Sequence, residues 1–265
     1  MRKEVMHDVK RIVVKVGSSS LTNDTGMIHI HRLESLVKQV ADLHNKGYEI
    51  VIVSSGAIAA GMGKLNLTKR PVEIPLLQAA AAVGQVALIH MYQKMFSEYG
   101  KVVAQLLLTR DGLEDENRLF HAKNASQALL SRNVIQIVNE NDAVAVDEIT
   151  FGDNDTLSAM VAKIVEADLL IILSDIDGLY DDNPNINKNA KLIEEVITIN
   201  DDIKKLAGDA GSAVGTGGMI TKLTAAEIAT EAGIHMVIAN SSKEWILKDI
   251  VDGKAEGTLF NRLRG

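Results

Sequence analysis

The alternation of strand and helix patterns predicts an α/β protein built on a mainly parallel sheet. Three features carry this expectation. Short β-branched apolar runs recur along the chain, amphipathic helical patterns separate them, and several runs end directly in glycine or short polar residues. Open sheets of this kind bind ligands at the carboxyl ends of their strands, so the residues just after each run become the candidate site.

The first strand is Arg11–Val16, interrupted by Lys15 and followed by Gly17-Ser18-Ser19-Ser20. A lysine near the end of a buried strand needs a partner, and a turn rich in N–H and O–H donors points to an anion. A lysine snorkelling from an edge strand would carry the same sequence. Leu33, Leu36, Val37, Val40 and Leu43 then mark an amphipathic helix that stops at Asn45-Lys46-Gly47. The second strand, 49–53, runs into Ser54-Ser55-Gly56-Ala57, with Gly61 and Gly63 beyond; an ordinary tight turn would look similar.

A long alanine-rich helix spans about 73–99, with Gly84 as a close-packing point. The strand 101–108, a helix over 117–130 and the strand 134–138 follow, and the last of these ends in Asn139-Glu140-Asn141-Asp142. Residues 143–151 alternate weakly and suggest a hairpin. That hairpin leads into Gly152-Asp153-Asn154-Asp155. From Leu157 the pattern is helical, which places the polar run at a helix N-terminus with outward-facing N–H groups. One carboxylate suffices as a cap. Two so close together repel, which suits an ammonium, a lysine or a metal ion nearby; a solvated polar turn is the alternative. With Asp142 upstream, two acidic clusters converge on a place suited to an amino group.

The run 168–173 is the clearest buried strand, and Ser174-Asp175 follow it. Residues 176–190 are too rich in Asp and Asn, and too long, for a simple connection, and read as a binding loop. Gly211 to Gly218 form a glycine-rich loop before a helix over about 221–232, with Lys222 in its first turn. Backbone N–H groups, helix dipole and ammonium together make an anion site; a flexible loop before a helix is the alternative. The strand 234–238, a helix over 243–251 and an edge strand at 257–260 complete the chain.

Composition excludes several classes. The 265 residues carry a net charge of −7 and only 3% aromatics, which argues against nucleic-acid and anionic-membrane partners. There are no cysteines, so disulfides, thiolate catalysis and zinc–cysteine sites are excluded. No leader pattern and no run of about 18 apolar residues is present, and a cytoplasmic, membrane-free protein is expected. The seven histidines are scattered, so no metal site is assigned to the protein itself. A Walker A loop and a Gly-x-Ser-x-Gly elbow are both missing.

Two lysines in anion-friendly turns, two acidic and amide clusters and a long polar loop fit phosphoryl transfer. That chemistry is mostly positioning and charge neutralisation. A carboxylate acceptor needs no general base, Asp155 would orient the lysines, and Mg2+ would be held largely by nucleotide phosphates.

The motifs Lys-Val-Gly-Ser-Ser at 15–19, Val-Ser-Ser-Gly-Ala-Ile-Ala-Ala-Gly at 53–61 and Asn-Glu-Asn-Asp-Ala-Val at 139–144 resemble the amino acid kinase family. So do Gly-Asp-Asn-Asp at 152–155, Leu-Ser-Asp-Ile-Asp-Gly-Leu-Tyr at 173–180 and Gly-Thr-Gly-Gly-Met-Ile-Thr-Lys at 215–222. The resemblance covers essentially the whole chain. It is nearest to members that use ATP to phosphorylate the γ-carboxylate of L-glutamate, the first step towards proline.

The resemblance implies a three-layer α/β/α sandwich formed by one domain over residues 1–265. It implies Lys15, Lys222 and Asp155 as the catalytic set, and Ser55, Gly56, Asp142 and Asn154 as the glutamate site. Lys15, Gly17, Ser174, Asp175, Thr216, Gly217, Gly218, Met219, Ile220, Thr221 and Lys222 would line the ATP side. It further implies proline as feedback inhibitor and a homo-oligomer, dimer or tetramer. Many members carry a C-terminal PUA-type domain, of the kind found in RNA-modifying enzymes, and this sequence shows none. Relatives of the same fold act on N-acetylglutamate, aspartate, carbamate or uridine monophosphate; an acidic Asp142 favours a free ammonium over an acetylated one. A non-catalytic sensor is the other class, which retention of both lysines and Asp155 disfavours.

Overall fold

The structure, a computed structural model, describes residues 2–23, 26–145, 154–184, 186–209 and 218–263. Eight strands occur among them: β1 (Arg11–Val16), β2 (Glu49–Ser54), β3 (Val103–Leu108), β4 (Ile135–Glu140), β5 (Leu169–Ser174), β6 (Glu195–Val196), β7 (His235–Asn240) and β8 (Thr258–Phe260). Helices alternate with most of them, which is the mainly parallel α/β architecture read from the sequence. The chain forms two compact units, one from Met1–Lys15 with Asp155–Gly265, the other from Val16–Asn154.

In the Val16–Asn154 unit the strand order is β3-β4-β2, and both pairings are parallel. Central β4 is buried along its whole length, whereas β3 is partly exposed, as an end strand should be. The helix Ile30–Asn45 buries Leu33, Leu36, Val37, Val40 and Leu43, the stripe its three- and four-residue spacing predicts. Helix Ala57–Lys64 crosses the long helix Ile74–Ser97 so closely that glycine is required on both. A Cβ on Gly61 would lie 1.7 Å from the Ala80 carbonyl oxygen, and one on Gly84 would lie 1.7 Å from that of Ala57.

The long helix Ile74–Ser97 matches the one expected over about 73–99. Its length and composition alone would let it cross a membrane, because Gln78 and Gln85 interrupt the apolar run without making it polar overall. In this fold its buried residues Leu77, Ala80, Ala81, Leu88, Tyr92 and Phe96 form one side of the helix.

In the other unit the order is β1-β5-β7-β8-β6. β5 and β7 are parallel and in register from Leu169↔His235 to Ser174↔Asn240, so their polar ends lie side by side. The last strand is not at the edge. β8 runs antiparallel to β7 and parallel to β6, which takes the end position and at two residues is too short to be seen in sequence. Gly257 makes the entry to β8 possible: its φ is +70°, and a Cβ there would meet the Ile238 carbonyl oxygen at 2.0 Å.

Strands β2, β4, β5 and β7 each run one or two residues past the apolar stretch and end in Ser54, Glu140, Ser174 and Asn240. Backbone pairing continues while the side chains turn polar. The short helices Arg2–His7, Ser18–Leu21, Arg110–Glu114 and Asp201–Asp209 were not expected, since a turn or two of helix carries little periodic signal. The proposed hairpin falls mostly on 146–151, outside the described residues; Asp142–Val144 form a turn.

Candidate active site

Within the unit containing both termini, three charged side chains far apart in sequence come together. Lys15 is the penultimate residue of β1, Asp155 lies in the first turn of helix Asn154–Ile164, and Lys222 lies in the first turn of helix Met219–Glu231. Lys15 Nζ is 2.5 Å from Asp155 Oδ1, and Lys222 Nζ is 3.1 Å from Oδ2. Thr221 Oγ1 lies 2.8 Å from the same Oδ2. Asp155 is 0% exposed, Lys222 4% and Lys15 8%. Burial pushes the Asp155 carboxyl up, but the two ammonium groups and the Lys15 and Thr221 hydrogen bonds outweigh it and hold it below the usual carboxylate range.

Among the described residues two buried ammonium groups share one buried carboxylate, so these three side chains together carry an excess positive charge. The N-termini of two helices, of 11 and 13 residues, add their dipoles. Such an arrangement attracts an anion of more than one charge.

Other residues expected on the nucleotide side are placed as follows. Gly218 caps helix Met219–Glu231 in an extended conformation, with Met219 buried and Ile220 exposed. Thr216 and Gly217, with most of the glycine-rich loop, lie outside the described residues, as do Gly152 and Asp153. Ser174 ends β5, and its hydroxyl donates to Asp175 Oδ1 at 3.0 Å. Neither Ser174 nor Asp175 hydrogen-bonds to the lysine–aspartate cluster. Beside them Asn240, at the end of β7, donates to Asp177 Oδ1, and Lys243 pairs with Asp177 at 3.5 Å. Asn240 and Lys243 were not anticipated: a single polar residue ending a strand is a weak signal until the register pairs it with Ser174. The loop after β5 is pinned by Thr258, whose Oγ1 accepts from the Leu179 N–H and donates to the Ile193 carbonyl.

The Val16–Asn154 unit holds the other expected set. Gly17 precedes the short helix Ser18–Leu21. Gly56 has φ +99°, a left-handed conformation that frees the chain to turn from β2 into the next helix. Asn154 Nδ2 donates to Ser55 Oγ at 2.9 Å and to Asn139 Oδ1 at 2.9 Å, and lies 3.4 Å from the Ser54 carbonyl. Asn139 Nδ2 donates in turn to Gln85 Oε1 at 2.8 Å. Asp142 is half-buried and lines a cavity of about 310 Å³ with Gln85, Glu140 and Asn141. Gln85 was missed, because a glutamine within an alanine-rich helix gives no sign of which side of the helix it serves.

A further cleft lies elsewhere. About 730 Å³ in volume, it is lined by Glu4, Asp8, Asp168, His235 and Arg262 at the amino ends of β5 and β7, and none of the expected site residues borders it. Lys15, Ser55, Ser174 and Asp175 lie instead at or just after the carboxyl ends of strands, where parallel sheets bind ligands.

A mainly parallel sheet whose strand ends carry a buried, net-cationic lysine–aspartate–lysine cluster defines an α/β protein built to handle a phosphate-like anion. Residues 10–240 match the amino acid kinase family, and the chain belongs to it. The chain is 56% identical to the glutamate 5-kinase of Clostridium acetobutylicum, over 98% of this chain and 97% of that one. It is 56% identical to the glutamate 5-kinase of Clostridium tetani, over 99% and 98%. That of Carboxydothermus hydrogenoformans is 54% identical over 97% of this chain but 69% of its own length. Among solved structures, the UMP kinase of Ureaplasma parvum superposes with a TM-score of 0.68 at 17% identity, covering 96% of this chain and 99% of that one. At that identity the likeness concerns the fold alone.

Proposed function

We propose that this chain is a glutamate 5-kinase, transferring the γ-phosphoryl group of ATP to the γ-carboxylate of L-glutamate, the first step of proline biosynthesis. The observation that carries this reading is the Lys15–Asp155–Lys222 cluster, in a chain with glutamate 5-kinase relatives at 56% identity over nearly the full length. The acceptor carboxylate oxygen forms the new P–O bond as the bond between the γ-phosphorus and the ADP oxygen breaks. No proton has to be removed, so no general base is required.

Lys15 and Lys222 neutralise charge on the transferring group, and Asp155 fixes both ammonium groups in advance of the reaction. Ser174, Asp175 and the segment from Thr216 through Lys222, together with Gly17, serve the nucleotide. Ser55, Gly56, Asp142 and Asn154 hold glutamate, with Asp142 set against its ammonium. Ser55 Oγ already accepts from Asn154, which leaves its O–H to donate to a substrate carboxylate.

Mg2+ fits this arrangement as a phosphate-borne ion. No group of three or more His, Asp or Glu suited to a metal exists among the described residues, and Asp155 is taken up by the lysines. When bound it supplies charge neutralisation on the phosphate oxygens. The same reading makes the protein a cytoplasmic homo-oligomer of two or four copies, with proline as feedback inhibitor and residues 1–265 as one kinase domain; the family resemblance supports these points.

The test is incubation with ATP and Mg2+ and either glutamate, N-acetylglutamate or aspartate, with hydroxylamine to trap acyl phosphate. Hydroxamate from glutamate alone is expected. Product from another acceptor alone would overturn the assignment of Asp142, and binding without any turnover would point to a sensor.

A further inference from the structure

We infer that Gln85 is a specificity-determining residue that donates a hydrogen bond from Nε2 to the α-carboxylate of the amino-acid substrate. This rests on the reading above and extends it to a residue outside the expected site.

The direction of each amide is fixed by a chain of bonds within the Val16–Asn154 unit. The Ser54 main-chain carbonyl can only accept, so the group facing it at 3.4 Å is the Asn154 nitrogen. Asn154 Nδ2 therefore donates to Asn139, which must present its oxygen at 2.9 Å. The Asn139 nitrogen is then left to face Gln85, and Gln85 must present Oε1 at 2.8 Å. Polarity set by one backbone carbonyl thus passes through two asparagines and turns the Gln85 amide so that Nε2 points away from Asn139.

That nitrogen is the end of the relay. It is buried, and no hydrogen-bond acceptor among the described residues meets it. A buried amide donor left unmet is costly, and a donor kept at a cavity wall is one a ligand can satisfy. Gln85 borders the cavity of about 310 Å³ that also holds Glu140 and Asp142. This volume is at the small end for ligand pockets and suits a single amino acid. The amide of Gln85 and the carboxylates of Glu140 and Asp142 line the same cavity, whose other walls are largely apolar, including Ala81, Val86 and Leu107. In the proposed pose the ammonium of a free amino acid goes to the acids and its carboxylate to the amide.

Substitution Gln85→Glu keeps an oxygen for Asn139 but replaces the donor with an acceptor. The substrates are glutamate and its α-carboxamide analogue, which retains the γ-carboxylate. For the native protein, kcat/KM should favour glutamate. In Gln85→Glu the KM for glutamate should rise about tenfold or more, the preference should fall by a similar factor or reverse, and the KM for ATP should hold. Gln85→Met, which has no donor and no charge to disturb Glu140 or Asp142, should lower the preference too. An unchanged preference in both variants would overturn the inference. Calorimetric binding of the two amino acids without ATP gives the same ratio independently of turnover. A native protein that binds glutamate but forms no hydroxamate would sink the kinase reading alone, and the ratio would still decide the role of Gln85. Absence of glutamate binding would sink both.

Discussion

The ammonium of Lys15 lies 2.5 Å from a carboxylate oxygen of Asp155, a residue wholly excluded from solvent. Lys222 meets the other oxygen of that carboxylate, so one buried anion holds two buried cations. Removing the anion should therefore be strongly destabilising. Asp155→Asn removes the carboxylate that both ammonium groups share and should destabilise that unit by about 3–5 kcal/mol. Urea denaturation, read with turnover, measures this; native-like stability would show that the pairs contribute little.

Lys222→Ala separates catalysis from folding. Asp155 keeps Lys15, so the fold should survive, while turnover should drop about 100-fold or more through loss of a transition-state donor. The hydroxamate assay decides it, and a near-native rate would remove Lys222 from the reaction.

Gly84→Ala tests the helix crossing. The added methyl would fall 1.7 Å from the Ala57 carbonyl oxygen, with the Gly61 backbone nitrogen at 2.4 Å, so the two helices must part. A loss of about 1–3 kcal/mol or more is expected by thermal or chemical denaturation. Alanine at Gly100, where no atom lies within 4 Å, is the contrast: its φ of +64° strains the backbone, but nothing has to move.

The pH dependence of stability carries a histidine signature. Burial, aided by Arg262, lowers the His235 pKa to about 4, and its Nδ1 accepts the Arg262 N–H, which requires the neutral ring. Unfolded, the ring titrates near its ordinary value of about 6.5. Between these values the unfolded chain takes up a proton that the folded one refuses, so stability should fall as pH drops from about 6.5 towards 4. His235→Gln should flatten that part of the curve in denaturation midpoints; an unchanged slope would place the effect elsewhere. Asp155, with its pKa lowered, contributes stability above its unfolded value near 3.8 that is lost at more acidic pH.

Much of the fold is legible in the residues. Arg11–Val16 and Leu169–Ser174 announce themselves because buried parallel strands must be apolar on both faces. The helix Ile30–Asn45 does so because a single buried stripe repeats every three to four residues. Lys15 stood out because a cation within such a strand has no apolar explanation, and Asp155 because a second carboxylate at a helix N-terminus exceeds what capping needs. Glu195–Val196 and Asp201–Asp209 were invisible: they are too short for a period, and their existence depends on what they pack against.

Sequence chemistry alone set the kinds of groups at the strand ends, since charge, hydrogen-bonding capacity and turn propensity belong to residues and their near neighbours. Which groups meet was decided by the folded chain. Nothing local to Lys15 or Lys222 says that they share the carboxylate of Asp155, because strand and helix ends converge only once the sheet has assembled. Nor could the sense of the Gln85 amide be read from an alanine-rich helix. It follows from the Ser54 carbonyl through Asn154 and Asn139, a hydrogen-bond order that exists only when four separate elements are packed together.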